Sequence, residues 1–316
     1  MDTDRRLGAF GWGLKPAVKE LSVIPRRLFL SALPSGEREL SCFVLFGGQP
    51  DRLSWQCRST ATRVDRLNGS RVLSDEERSR GRVLVSVILP PALVADSLCV
   101  SLGPDEEAVR VSWRIETYVQ SKAFRLPLTG PVLVLGANRI GDPHRTAWRI
   151  PSQQFAWDLL PLGNDGWRVL AGPTEQLGAA SFAAFGSAVV APAPGRVARA
   201  TDGQPDQDAV GVLPSLETFK DDLTRAMGNY VVIDHGDGVW SFLGHLRCGS
   251  VCVREGDEVL AGSIVASVGA SGSAAGPHLH LHFMDGPDVL GSSPLPVDLD
   301  VEGIRYRPQA GELLSA

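Results

Sequence analysis

Cysteine, basic charge and long apolar runs are all in short supply in this chain of 316 residues. Its five cysteines, Cys42, Cys57, Cys99, Cys248 and Cys252, are odd in number and scattered. That excludes a disulfide framework as the basis of the fold, and they read mostly as buried thiols. A Cys42–Cys57 bridge within one sandwich stays open. Cys248 and Cys252 have the spacing of half a zinc site, but no second pair accompanies them. Lysine and arginine number 31 against 36 aspartates and glutamates, a net charge of −5. The basic footprint of a nucleic-acid binder is therefore missing. No apolar run approaches the roughly 20 residues of a membrane span. The N-terminus, MDTDRRLGAFGWGLKPAVKEL, lacks the uninterrupted apolar core of a secretory signal, so at face value the chain is expected to stay inside the cell.

What is present is ordinary globular composition, 43% hydrophobic and 21% charged, and enough length for one large domain or two ordinary ones. Residues 1–22 read as a tail. From 23 to about 130 short runs of strand character alternate with turn signals. RLFLSAL (27–33), ELSCFVLF (39–46), LSWQC (53–57), VLVSVIL (83–89) and AVRVSWRI (108–115) are the candidate strands. Gly47-Gly48-Gln49-Pro50, Asn68-Gly69, Pro90-Pro91 and Gly103-Pro104 are the candidate turns. Several short strands at this spacing predict a β-sandwich-like accessory domain. SDEERSRGR (74–82) reads as a solvated charged loop. Nothing in this half carries chemistry. From 131 onward glycine and proline become frequent, and all six histidines lie here. Residues 201–228 interrupt the strands, and Leu216, Phe219 and Leu223 at helical spacing predict a short helix within a long loop that could be a lid or a plain insertion.

The histidines are concentrated. AGPHLHLHF (275–283) carries three of the six at every second position. In a strand, His278, His280 and His282 share one face while Leu279, Leu281 and Phe283 take the other. A solvent-facing polar face is one reading; a metal site is the other, since imidazole is the commonest neutral metal ligand. The remaining ligands must then come from elsewhere. GVWSFLGHL (238–246) reads as a strand delivering His245. His235, in DHGDG, reads as a turn residue. Asp158 lies inside the apolar segment QQFAWDLLP, and an isolated buried carboxylate needs a partner or a metal. Two histidines, a carboxylate and an open position compose a catalytic-type zinc site, and unligated histidines beside it can move protons.

At this point the residues resemble a family. GSAVVAPAPGRVARA (186–200), GNYVVIDHGDGVWSFLGHL (228–246) and VREGDEVLAGSIVASVGASGSAAGPHLHLHF (253–283) are similar, in order, to the motifs of the LytM/lysostaphin-type zinc metallopeptidases. The resemblance covers a little over half the chain. It implies a mostly β chain, in which the 23–130 domain precedes a small antiparallel β catalytic domain over 131–316. It implies one zinc ion per chain, bound by Asp158 and His280, with His245 and His278 as the unligated catalytic pair. The family's first ligand histidine usually stands four residues before the aspartate, where this chain has Gln154. The nearest upstream histidine is His144, and the resemblance to a branch with a displaced histidine implies that His144 is the third ligand. Asn138 matches a polar position near such sites. His282 stands where the family has an acid, and is read as facing solvent in preference to orienting its neighbours.

The function so implied is a zinc-dependent endopeptidase acting on peptidoglycan cross-links or stem peptides, which places the protein in the envelope or outside, against the face-value reading of its N-terminus. Two other readings stand beside it. One is an inactive module that activates other wall enzymes, suggested by Gln154. The other is a carbohydrate-binding or structural β-module.

Overall fold

The computed structural model describes residues 21–32, 37–59, 67–90, 95–103, 108–137, 144, 149–163, 178–208 and 210–315. Apolar–polar alternation dominates the first part. Its strands are β1 (Leu21–Ile24), β2 (Leu28–Phe29), β3 (Ser31–Ala32), β4 (Arg38–Phe46), β5 (Arg52–Arg58), β6 (Leu67–Val72), β7 (Arg82–Leu89), β8 (Ser97–Leu102) and β9 (Val109–Glu116). One sheet joins β1, β4 and β3, with β7 also on β4; a second runs β2-β9-β8-β5-β6. Their buried faces meet in one apolar cluster that includes Leu40, Val44, Leu53, Val85, Leu98 and Val100. β7 shows why, since Val83, Val85, Val87 and Leu89 alternate inward with exposed neighbours between Val83 and Leu89.

Four local expectations need correction here. β1 begins inside the stretch read as a tail. β8, SLCVSL, is a strand that the sequence reading passed over. Residues Asp75–Arg80 of the charged segment form a helix, α1. It has a complete capping box, with Ser74 and Glu77 bonding reciprocally, and it stops at Gly81 in the left-handed conformation, φ 63°. None of its residues is buried, so caps rather than packing hold it. Asn68-Gly69 is no turn but lies in mid-β6, where a Cβ at Gly69 would run into the Trp55 ring.

All five cysteines are free thiols in this structure, including Cys42 and Cys57. Burial pushes the Cys42 thiol up to about 12, with Cys57 adding to the effect. Contrary to the general expectation of burial, Cys248 and Cys252 are exposed.

The rest of the chain adds β10 (Pro131–Gly136), β11 (Trp157–Pro161), β12 (Ala188–Val190), β13 (Gly195–Thr201), β14 (Asn229–Asp234) and β15 (Trp240–Leu246). Then come β16 (Glu258–Val259), β17 (Ile264–Ser267), β18 (Leu279–Met284), β19 (Leu299–Val301), β20 (Ile304–Tyr306) and β21 (Leu313–Ser315). Eight of these build one sheet in the order β16-β13-β14-β15-β18-β11-β10-β21, with its paired strands antiparallel. β18 therefore sits between β15 and β11, near the centre. The register sets Trp157 opposite Leu281 and Leu159 opposite Leu279, and all four enter the main core on one face. It sets Asp158 opposite His280 on the other face.

The 201–228 insertion is built of two short 3-10 helices, Leu216–Phe219 and Leu223–Met227, where one short helix was expected. Its start is bonded to neighbouring loops. Asp206 accepts from the backbone amides of Ala270 (2.7 Å) and Cys248 (3.1 Å), and Gly211 donates to the Ala275 carbonyl at 2.7 Å. The insertion thus runs beside the glycine-rich loop that leads into β18. Among the described residues no helix is long and apolar enough to cross a membrane.

Candidate metal centre

Antiparallel pairing brings the chemistry together. Gly136 of β10 is the register partner of Asp158, and Gly244 of β15 is the register partner of His280, so three neighbouring strands and β10 converge on one spot. The β10–β11 register slips between Val134 and Gly136. That irregularity falls beside the carboxylate, a common place for a bulge to re-aim a side chain.

Asp158 is the hub. Its Oδ1 lies 3.0 Å from His280 Nδ1 and 3.4 Å from His278 Nε2, and its Oδ2 lies 3.3 Å from His144 Nε2. One donor atom each from His144, Asp158 and His280 lies within 4.8 Å of the other two. His144 is brought to the aspartate across fourteen residues of chain. Gln154 is not part of this cluster; it is buried and donates from Nε2 to the Ser41 carbonyl of β4 at 2.7 Å. A Gln154→Ala protein should lose about 1–3 kcal/mol of stability, because the Ser41 carbonyl is left buried without that donor. Its zinc content should not change. Zinc loss measured by elemental mass spectrometry would show that Gln154 does more than join the two parts.

His245 and His278 stand beside the cluster with ring centroids 4.8 Å apart, and His245 is 5.7 Å from His280. Each is held through Nδ1, His245 by the Ser271 carbonyl and His278 by the Gly276 carbonyl, both at 2.8 Å. A carbonyl only accepts, so in each ring Nδ1 carries the hydrogen. In the neutral rings Nε2 is then a bare lone pair, turned away from the backbone. His245 has φ 56°, in the left-handed region that non-glycine residues rarely occupy. Such strain at a cluster of titratable groups marks a functional position.

Electrostatics separates three of these imidazoles. Burial holds His245 well below the ordinary imidazole value, and the nearby His278 and His280 push the same way. For His278 burial also disfavours the cation, but the Asp158 carboxylate prevails and the value is raised. Burial lowers His280 in spite of its bond to Asp158. Burial works to raise Asp158 itself, yet His144 and His278 beside it hold the carboxyl well below its usual range.

Residues 174–290 match the model for peptidase family M23. That segment is similar to the family, and the match spans less than half of the chain. The matched segment contains His245, His278 and His280, whereas His144 and Asp158 precede it. Among solved structures, the chain aligns with the catalytic domain of lysostaphin from Staphylococcus simulans at 20% identity. That alignment covers 41% of this chain and 86% of that one, with a TM-score of 0.25. A variant catalytic domain of the prophage-encoded M23 protein EnpA from Enterococcus faecalis aligns at 24% identity over 43% and 92% of the two chains, TM-score 0.25. The M23 metalloprotease pseudoalterin, from the deep sea, aligns at 13% identity over 62% and 100%, TM-score 0.33. No curated protein matches the chain.

Several parts of this cluster had no clear sequence signal. Ser271, whose carbonyl holds His245, sits in a run of small residues. Asn138 lies outside the described residues. His235 does border its hairpin turn, but it is buried, with Nδ1 2.9 Å from the Pro194 carbonyl and Nε2 2.8 Å from Ser241 Oγ. The expectation for His282 is overturned: the ring is fully buried and lies 3.0 Å from His280. β18 is an interior strand with every residue buried, so its histidine face is not a solvent face.

Gly136 is a positional requirement. A Cβ there would lie 2.9 Å from Asp158 Oδ2 and 3.3 Å from His144 Cε1. We expect Gly136→Ala to displace the carboxylate and weaken zinc binding roughly 10-fold or more, the scale of other supporting-residue losses. Competition with a chromophoric chelator measures it, and an unchanged affinity would show that the carboxylate moves aside freely.

Proposed function

We propose that the chain is a zinc-dependent endopeptidase whose one ion is held by His144, Asp158 and His280, and whose substrate is a peptide of bacterial peptidoglycan. The observation that carries the metal reading is the convergence of two imidazole nitrogens and a carboxylate oxygen within 4.8 Å. That donor set is of the catalytic type, three protein ligands with a position left open. Zinc, when bound, supplies Lewis acidity and brings the pKa of water to about 7.

The rest is the work of the chain's own side chains. His278 turns Nε2 to Asp158 and the His245 ring stands beside it, each tied by an Nδ1–H bond to a backbone carbonyl. One takes a proton at Nε2 and the other donates from Nε2 towards the developing oxyanion. The Asp158 carboxylate 3.4 Å from His278 Nε2 favours His278 as the donor, which leaves His245 as the base. What supports a peptidoglycan peptide is the motif resemblance over 186–283 to the LytM/lysostaphin-type enzymes.

The test is zinc per chain in the purified protein, followed by digestion of purified peptidoglycan with release of free amines. About one zinc and new amines are the expected result. Zinc with no new amines would overturn the substrate. A protein that takes up no zinc even after metal is added back would establish the inactive, regulatory reading in its place.

A further inference from the structure

His282 has no role in the reading so far, yet it is the most enclosed histidine in the group. Its ring is 0% exposed. Phe242 stacks on it at 4.6 Å with an interplanar angle of 15°, and fixes its plane. Its Nδ1 lies 3.0 Å from His280 Nε2, and the two rings meet edge to face at 74°. Its Nε2 is buried and has no partner among the described residues. A buried imidazole with one nitrogen unpartnered is costly, so the bond made by the other nitrogen is the place to look for a purpose.

We propose that His282 is a positioning residue for the metal centre: its Nδ1 accepts the Nε2–H of His280 and so holds the His280 ring with Nδ1 turned towards Asp158 and the ion. This rests on the zinc reading above. A neutral imidazole has one hydrogen and one lone pair. If His280 presents the Nδ1 lone pair to a metal, its hydrogen sits on Nε2, and His282 Nδ1 is the acceptor in reach there. An acceptor on the far nitrogen of a ligating histidine fixes the tautomer and the orientation of the ring. Phe242 in turn fixes the acceptor. His282 then carries its own hydrogen on Nε2, the nitrogen without a partner.

Two substitutions in the full chain separate this role from mere packing. His282→Phe keeps a flat ring to stack on Phe242 but removes the acceptor. His282→Asn restores an acceptor oxygen close to the Nδ1 position. Zinc affinity is read by chelator competition. The expected result is a 10- to 100-fold weaker Kd for His282→Phe, the usual scale for such partners, with His282→Asn close to the parent. Equal affinity for His282→Phe and the parent would overturn the proposal and leave the zinc reading standing, as would equal losses in both variants. A parent that binds no zinc sinks the zinc reading, and this proposal with it. Should His282→Phe fail to fold, nitrogen NMR of the zinc-loaded parent decides. A bare Nδ1 and a protonated Nε2 on His282 support the role, and a protonated Nδ1 on His282 overturns it.

Discussion

Replacing His245 by alanine will lower kcat about 10²- to 10⁴-fold, the usual range for a lost general base, and will leave zinc near one per chain. The reason is geometric. His245 is outside the trio of atoms that lie within 4.8 Å of one another, and its Nδ1 is committed to the Ser271 carbonyl. Its ring stands beside His278 and His280, which leaves Nε2 as the nitrogen for proton transfer. A group that acts on a proton in the transition state changes kcat and kcat/KM together and leaves KM in place. Histidine at φ 56° already carries the cost of the left-handed region, and alanine, which occupies that region less readily, carries somewhat more. His245→Asn controls for that, because asparagine tolerates the left-handed region better. If both variants lose activity and keep zinc, the loss belongs to the base and not to the backbone. Loss of zinc in both would instead make His245 a ligand, and activity within tenfold of the parent would remove it from the chemistry.

How much of this could be read from the chain depends on where each residue's partner lies. Strands with strict alternation were legible: 39–46 and 83–89 lie within observed strands, and 108–115 overlaps β9 from Val109 onward. β8 alternates as well, with Leu98, Val100 and Leu102 fully buried, but serine and cysteine between them blur the contrast. Helix α1 has no apolar period to detect, since it buries nothing. Its only signals are the serine three residues before a glutamate and the glycine after it, and both are local hydrogen-bonding signals that a search for hydrophobic periods does not register.

The site divides in the same way. The period-two histidines place His278 and His280 on one face from spacing alone, whereas the pairing of Asp158 with His280 is a register between segments 122 residues apart. Gln154 bonds to a carbonyl 113 residues away, in the other half of the chain. Composition carries no trace of such contacts. His282 was misread because alternation says which face a residue takes but not what covers that face. Here a stacked phenylalanine covers it, and that is visible only in three dimensions.

Asp158→Asn will abolish measurable zinc retention and, with it, hydrolysis. The substitution keeps the size and shape of the side chain and removes its charge, so the fold has little reason to change. What changes is the centre of the cluster. Both carboxylate oxygens are engaged, Oδ1 by His278 and His280 and Oδ2 by His144. An amide replaces one acceptor with a donor, so only one side of the cluster keeps an oxygen that can accept or ligate. Two neutral imidazoles and an amide also leave a divalent ion without a counter-charge in a largely enclosed place. Removing one partner of a buried charge pair costs about 3 kcal/mol or more, at least about 100-fold in affinity. The cleanest reading is thermal. A ligand that binds only the folded protein raises its stability by RT ln(1 + [L]/Kd), so added zinc should raise the melting temperature of the parent and leave that of Asp158→Asn nearly unmoved. A variant that still gained stability from zinc would show that the histidines hold the ion without the aspartate, and the ligand set would have to be redrawn around His144, His278 and His280.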